Sequence, residues 1–592
     1  MLLVMVRSRS VPAGPVLESY DESARDFSCG DLRVSIQTGP LFGFRHKIGD
    51  LIVAGESCFP FKESDARSLE QGVLDGVPHD VLLGDRILVL VVIDPLKRVV
   101  TIAQSLASGR PCYFSAKPGS FTFSTSVCGL REAGHEVVWN PACTPEYLMY
   151  RFIAPPRSML RGVRMLVGGQ LLVVDLEEGQ VCEDRRWRWP DGREDDPKEE
   201  ITNVLGARIE EWLQSFPSAG ILLSGGLDSS LLAAIARVTY PDIHTFSTNF
   251  SFANSDDGEG QYALSMARHL GVAHQVYDTT PERYLTGLVE SISAAEAPVQ
   301  HLQSVLLHLL FQDRAAVGHG AIFCGDGGDN VFGNASHEFL YRYGSAIAFL
   351  RTMRVSSGLA PLADALGWHS QWGTLLTRRY DRQLSSVHHF LWLFGRYGDR
   401  RIVQSLFSCD EAALLGERPS LLEAYCDKPL LDQVTALGLL LNVHATITIW
   451  GKLAEASGVY LACPYTSPSV LAAGMAIKWD VKLREKKYLV RAALRQLGVP
   501  DALIVRRKLS FGFPARFWAL KGALFQPIVD MATQVHDVGV LESLQREEGG
   551  ASMVLWCLLN QFLWTQLFEV RRSVEDLSGE ILDRRRSAAK SR

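Results

Sequence analysis

Ser224-Gly225-Gly226-Leu227-Asp228-Ser229-Ser230 stands between a short apolar run, Ile221–Leu223, and a stretch with helical periodicity, Leu227–Thr239. A strand, a glycine turn and a helix in that order have the physics of a phosphate cradle. Two glycines let backbone N–H groups approach an anion, Ser224, Ser229 and Ser230 add hydroxyl donors, and the helix N-terminus supplies partial positive charge. Asp228 brings a carboxylate to the same point, as a divalent cation bridging phosphates requires. There is no GxxxxGK[ST], so this is not the P-loop of kinases or GTPases. A plain glycine turn with a Ser/Asp cap is the simpler reading of these residues, and the strand and helix on either side count against it.

The residues around this turn read as βα units. Ile201–Phe216 is an amphipathic helix pattern, Gly220–Leu223 a buried strand and Leu227–Thr239 a helix. Ile243–Asn249, Ala273–Tyr277 and Ala321–Cys324 are further strands, with a helix at Gly260–Leu270. Strands alternating with helices predict a parallel sheet and an α/β fold. Residues 335–575 are mainly helical by pattern. Before the sheet, residues 1–190 are β-rich: Tyr113–Ser115 and Phe121–Ser124 flank the turn residues Lys117-Pro118-Gly119-Ser120, and Leu171–Val174 precedes another turn. Trp189–Glu200, charged and poor in apolar residues, is the linker candidate.

Composition narrows the class. The 592 residues carry 60 basic and 66 acidic side chains, a net charge of −6, with 47% hydrophobic and 21% charged residues. That excludes a disordered chain and argues against nucleic acid as a partner. The longest uninterrupted apolar runs, Ile87–Ile93 and Met553–Leu559, fall far short of the about 20 residues of a membrane span. The start has no signal-peptide pattern, and the eleven cysteines form no CxxC pair, so neither a zinc site nor a disulfide framework is expected. A cytoplasmic location with no membrane partner follows as an expectation. The basic stretch 576–592 reads as a frayed, solvated tail.

SGGLDSS resembles the pyrophosphatase signature of the N-type ATP pyrophosphatases, and the chain resembles the asparagine synthetase family over nearly its whole length. Thr245-Phe246-Ser247 lies where the family has its adenine-side strand. Cys324-Gly325-Asp326-Gly327-Gly328-Asp329-Asn330-Val331-Phe332-Gly333 resembles its S-G-[DE]-G-x-D-E-x-F-G, Lys487-Tyr488-Leu489-Val490-Arg491 its KYLLR, and Arg507-Lys508-Leu509-Ser510-Phe511-Gly512-Phe513-Pro514 its PKxGFGxP.

The resemblance implies an N-terminal β-rich Ntn-hydrolase-like domain of the class II glutamine amidotransferase type over 1–190 and a linker at 191–200. An ATP-pyrophosphatase α/β domain with a helical C-terminal part follows over 201–575. It implies ATP and Mg²⁺ as cofactors, with nucleotide contacts from Leu222, Ser224, Gly225, Gly226, Leu227, Asp228, Ser229, Ser230, Phe246, Ser247, Cys324 and Gly325. Asp228 and Asp329, each after a glycine-rich turn at a strand end, are the implied metal ligands. Lys487 is placed on the leaving pyrophosphate, Lys508 at the reacting acyl centre, and Asp326 as the base that frees the attacking amine.

The departures from the family point to the amine source. Glutamine-dependent members begin Met-Cys and use that cysteine as nucleophile; this sequence opens Met1-Leu2-Leu3, and its first cysteine is Cys29. The NGEIYN loop of the family corresponds to Ala54-Gly55-Glu56-Ser57, and the acidic residue of its FASE segment to Ser126. A missing start would explain the absent cysteine but neither Ala54 nor Ser126. A glutaminase-like domain without glutaminase chemistry is expected.

Relatives with a lost glutaminase include β-lactam synthetase, carbapenam synthetase and the lasso-peptide macrolactam cyclases. Asp326 retains the acid of asparagine synthetases where the β-lactam enzyme has a tyrosine. In the segment resembling SLEVRVPFLD, Tyr460, Ala462 and Ser467 replace Glu, Arg and Asp, suggesting a larger, more apolar substrate than aspartate. Phe390, Trp392 and Phe394 are either a peptide cleft or helix core. The reading expected from this resemblance is a lasso-peptide cyclase acting on a leader-free core peptide, with a leader peptidase and a leader-binding protein as partners. A small-molecule amide synthetase, ammonia-dependent or β-lactam-forming, is the alternative, and a non-catalytic scaffold the third.

Overall fold

The computed structural model describes residues 1–8, 24–29, 31–38, 43–59, 61–76, 84–186, 198–249, 258–316, 318–335, 337–342, 397–505, 524–546 and 550–590. Lys508 with its segment 507–514, and Phe390, Trp392 and Phe394, lie outside the described residues.

The N-terminal strands are β1 (Leu2–Ser8), β2 (Ala24–Cys29), β3 (Leu32–Thr38), β4 (Gly43–Ile48), β5 (Leu51–Ser57), β6 (Ile87–Asp94), β7 (Val99–Gln104), β8 (Tyr113–Lys117), β9 (Ser120–Ser124), β10 (Arg164–Met165), β11 (Gln170–Asp175) and β12 (Gln180–Arg186). They form two six-stranded sheets, in the orders β10-β8-β9-β1-β3-β2 and β12-β11-β7-β6-β5-β4. Alternation drives the packing: Leu32, Val34 and Ile36 of β3 are buried while Arg33 between them is exposed. These residues, with Val4, Phe121 and Phe123, meet Ile52, Val91, Ile102 and Leu172 of the second sheet in one buried cluster, the core of a sandwich. The expected hairpin is present. β8 and β9 close over Pro118-Gly119, with Gly119 at φ +70.

Five parallel strands follow: β13 (Gly220–Leu222), β14 (His244–Asn249), β15 (Ala273–Asp278), β16 (Ala321–Phe323) and β17 (Tyr460–Ala462), in the order β15-β14-β13-β16-β17. The first four match the sequence expectation. β17 corrects it, because Tyr460–Ala462 lies in the stretch read as helical yet pairs with β16. The helix Lys198–Ser215 starts inside the expected linker and buries Leu205, Ile209, Trp212 and Leu213. Trp212 joins the two halves, with its ring 4.5 Å from Phe59 and 4.7 Å from Tyr460.

The tail is also corrected. Val574–Lys590 is a helix whose Leu577 and Ile581 are fully buried, and Arg585 Nε donates to Glu282 Oε1 at 2.8 Å on the neighbouring helix Pro281–Ala295. Two buried apolar residues and a cross-helix ion pair outweigh the solvation of its arginines. One helical run among the described residues, Leu430–Ala456, is long and apolar enough to cross a membrane, and 72% of its apolar window is buried inside the fold. A helix apolar on all sides and packed within the protein is a core helix.

Candidate active site

From β13 the chain moves outward to β14 and β15, then returns to lay β16 and β17 on the other side. Neighbouring strands at such a reversal leave a crevice past their carboxyl ends, where open α/β sheets bind ligands. The turns leaving β13 and β16 are 223–226 and 324–327.

The first turn is fixed sterically and by hydrogen bonds. Gly225 has φ +70, and a Cβ there would lie 2.7 Å from Ala263 N on the helix Gly258–Leu270. Ser224 Oγ accepts from Gly226 N at 3.2 Å, and Ser229 Oγ donates to Gly226 O at 3.1 Å. Ser230 is fully buried, and its hydroxyl has no hydrogen-bond partner among the described residues. Leu222 ends β13 and Leu227 begins the helix Leu227–Thr239, so both flank the turn.

The second turn packs on the first. A Cβ on Gly325 would lie 3.1 Å from Ser229 N, and one on Gly328 would lie 2.8 Å from Asp228 Cγ. Gly327, at φ +91, carries the chain into the short helix Gly328–Phe332, which bears Asp329 in its first turn. Cys324 Sγ donates to Asp326 Oδ2 at 3.0 Å. Lys487 closes the group: its Nζ pairs with Asp228 Oδ2 and lies 2.5 Å from Asp329 Oδ1. Burial disfavours its charge, but the two carboxylates outweigh burial and hold the ammonium above its ordinary pKa.

These residues fit Mg²⁺ and a polyphosphate. Two carboxylates from adjoining strand ends are the hard oxygen donors such a cation takes. Ser230 adds an unsatisfied buried donor to the helix N-terminus. Ser247 Oγ lies 3.1 Å from His274 Nε2, whose Nδ1 is 3.0 Å from Thr245 Oγ1, so β14 is tied to β15 beside the cradle. The Phe246 ring turns away, buried against Gly220 and under the Arg314 guanidinium at 4.9 Å. Its main-chain carbonyl accepts from Leu223 N at 2.8 Å, next to the first turn.

Sequence reasoning missed Tyr465. Its hydroxyl donates to the Asp228 carbonyl at 2.9 Å, and the residue is fully buried. Tyr460 and Ala462 are buried in β17, with Tyr460 packed on Trp212, so these two changes repack the sheet edge and carry no argument about substrate size. Asn330 is explained by its surroundings. It is 8% exposed, and its Nδ2 donates to Thr435 O at 3.5 Å beside Gly438, where a glutamate would set a carboxylate against a carbonyl.

Ser126, which departs from the glutaminase pattern, and Glu56, which keeps it, are built into a buried ionic network. Ser126 Oγ donates to Glu296 Oε1 at 2.7 Å, Val127 N donates to Glu296 Oε2 at 2.8 Å, and Lys452 Nζ pairs with Glu296 at 3.4 Å. Glu56 accepts from Thr125 Oγ1 at 2.7 Å and pairs with Arg110 at 2.8 Å, and Arg110 reaches Glu455 at 3.6 Å. Glu296, Lys452 and Glu455 belong to helices of the α/β part, so the network binds the sandwich to the helices beside the parallel sheet. A small cleft lies at the same junction, lined by Asp85, Arg110, Arg208, Trp212, Tyr460 and Thr466. Thr466 in its wall also touches the second turn, where a Cβ on Gly327 would lie 2.8 Å from Thr466 Cγ2.

Comparison with known proteins gives the family. The chain is 21% identical over 500 residues to asparagine synthetase [glutamine-hydrolyzing] 1 of Bacillus subtilis, covering 79% of this chain and 76% of that protein. It is 28% identical over 152 residues to asparagine synthetase B of Escherichia coli, covering 23% and 27%. It is 26% identical over 246 residues to the carboxyethyl-arginine beta-lactam-synthase of Streptomyces clavuligerus, covering 40% and 45%. The profile of the asparagine synthase family matches residues 200–545, more than half of the sequence, and the chain belongs to that family.

Proposed function

We propose that the protein is an ATP-dependent, AMP-forming amide ligase that closes the macrolactam ring of a lasso peptide. An Asp or Glu side chain of a leader-free core peptide attacks the α-phosphorus of ATP and pyrophosphate leaves. The peptide's own N-terminal amine then attacks the acyl carbon and AMP leaves. The observation that carries the ligase reading is the convergence of Asp228, Asp329 and Lys487 where two glycine-rich turns meet.

In this reading Asp228 and Asp329 hold Mg²⁺, which when bound spreads the charge of the phosphates. Lys487 holds the leaving pyrophosphate. Asp326 removes a proton from the attacking ammonium, since only the neutral amine is a nucleophile. Lys508 stabilises the oxyanion at the acyl centre, where a well-placed donor is worth about 3 kcal/mol. Ring closure is opposed by chain entropy, so holding the peptide with amine and acyl carbon in contact is the enzyme's main task.

Two observations support an amine from the substrate itself. Ser126, which stands where the family has an acidic residue, is engaged in a structural network, which favours a sandwich that supports the synthetase rather than one that hydrolyses glutamine. The Streptomyces relative is named for a β-lactam closure, an intramolecular amide formation. A leader peptidase and a leader-binding protein are the proposed partners. Ammonia-dependent asparagine formation is the second reading, favoured by the retained acid at Asp326.

AMP release with Mg·ATP tests the proposal against three substrate sets: aspartate plus ammonium, a β-amino acid of the β-lactam precursor type, and a panel of leader-free lasso-type core peptides. AMP formed with a peptide alone supports the cyclase. AMP formed only with aspartate and ammonium replaces it with the second reading, and no AMP with any set leaves a binding scaffold.

A further inference from the structure

Tyr465 reaches both glycine-rich turns of the active site from a third element. It stands in the single 3₁₀ turn Pro464–Thr466 that follows β17, and it is fully buried. Its hydroxyl donates to the Asp228 carbonyl at 2.9 Å. Its body lies on the second turn, where a Cβ on Gly327 would come 3.3 Å from Tyr465 Cβ. Its ring meets Phe332 edge-on, with centroids 5.6 Å apart and planes at 87°. Phe332 closes the short helix Gly328–Phe332 that carries Asp329, so one side chain touches the element bearing each carboxylate.

Two kinds of contact act here in opposite senses. Where the turns meet directly, at Gly325 against Ser229 and Gly328 against Asp228, close packing sets how near they come. A hydrogen bond from a residue packed on the other turn limits how far they part. Lys487 also draws the two carboxylates together, but in the proposed reaction its ammonium serves the pyrophosphate. The Tyr465 bond ends on a main-chain carbonyl, so it holds the backbone from which Asp228 extends and leaves the carboxylate to the cation. A carbonyl has two lone pairs, and this bond takes nothing from the helix's own ladder.

We propose that Tyr465 is the positioning residue for the Asp228–Asp329 pair, tying the first turn to the second so that the two carboxylates keep the spacing of a small divalent cation. This rests on the reading of those aspartates as Mg²⁺ ligands. A held spacing discriminates by ionic size. Mg²⁺ demands near-ideal geometry at about 2.1 Å from its oxygens, while Ca²⁺ accepts a looser set at about 2.4 Å. Freeing the turns therefore weakens binding of the smaller ion more than the larger.

The test is calorimetric binding of α,β-methylene-ATP, whose α–β bridge is not cleaved, to the full chain with Mg²⁺ and, separately, with Ca²⁺. No turnover enters the measurement. Tyr465→Phe keeps the ring on Phe332 and removes the hydroxyl. Affinity with Mg²⁺ is expected to fall about fivefold, the effect of one neutral hydrogen bond, and affinity with Ca²⁺ by no more than about twofold. Thr466→Ser keeps the hydroxyl that donates to Cys463 O at 2.9 Å and removes the methyl set against Gly327. It leaves Tyr465 in place and is expected to lower the Mg²⁺-to-Ca²⁺ affinity ratio by less.

Equal losses with both cations in Tyr465→Phe and Thr466→Ser overturn the proposal, because general loosening does not distinguish ions by size. Native binding with Mg²⁺ in Tyr465→Phe, while Asp329→Asn has lost it, also overturns it and leaves the metal pair in place. Native binding with Mg²⁺ in Asp329→Asn removes the metal pair itself, a separate failure.

Discussion

The ammonium of Lys487 lies 2.5 Å from the Asp329 carboxylate, although one leads into the helix Tyr488–Gln496 and the other follows β16. The same ammonium pairs with Asp228 after β13, so one buried cation ties together the two turns of the crevice. Lys487 adopts a left-handed backbone, φ 54, an uncommon conformation for a side-chain-bearing residue. Such a conformation is retained where the surrounding contacts over-determine it, as they do here.

Replacing this lysine by methionine leaves two carboxylates facing each other without their cation. Lys487→Met is expected to lower ATP–pyrophosphate exchange by about two orders of magnitude. Lys487→Arg should restore little, because a planar guanidinium does not replace a compact ammonium between two carboxylates. Exchange within threefold of native in Lys487→Met would remove Lys487 from the site.

Asn330 faces a carbonyl from inside the fold, so charge there is costly. Asn330→Glu is expected to destabilise the protein by roughly 3 kcal/mol through burial of a carboxylate against an acceptor. The check is chemical denaturation. An unchanged midpoint would show that the Thr435 contact does not constrain this position.

The Glu296–Lys452 pair is buried, and breaking it from one side strands a charge. Lys452→Met is expected to cost about 3 kcal/mol. The double variant Glu296→Gln/Lys452→Met should cost clearly less than the sum of the single changes, since neither charge is then left alone. Strict additivity in a double-mutant cycle would contradict the coupling.

Acid should weaken the same network. Burial acts to raise the Glu455 pKa, but Arg110 and Lys452 outweigh it and hold the carboxyl at about 2, against 4.5 for the free side chain. Glu296 is likewise lowered: burial opposes, and Lys452 with the Ser126 and Val127 donors prevails. A depressed carboxyl contributes stability in full above 4.5 and loses it as pH falls toward 2. The thermal midpoint should therefore drop through that window, and Glu455→Gln should flatten the drop. An identical pH profile in the variant would contradict the assignment.

Four strands of the parallel sheet were legible because periodic helices alternate with them, and 224–230 and 324–329 stand out by their glycines, serines and aspartates. β17 was not, since Tyr460–Ala462 is too short to show alternation between two helices. The final helix was hidden by its charges, because only Leu577 and Ile581 mark its buried face. Tyr465 was missed because it acts on a main-chain carbonyl, a role that leaves no mark in residue chemistry. The Glu296 network was invisible for another reason: Ser126 and Glu296 are 170 residues apart, and no local pattern links them.

The most direct test of the account is the intact mass of a leader-free lasso-type core peptide after incubation with the protein and Mg·ATP, with AMP quantified in the same sample. The account predicts a peptide lighter by one water, with one AMP formed for each ring closed. An unchanged peptide, with AMP and asparagine formed instead from aspartate and ammonium, would contradict it.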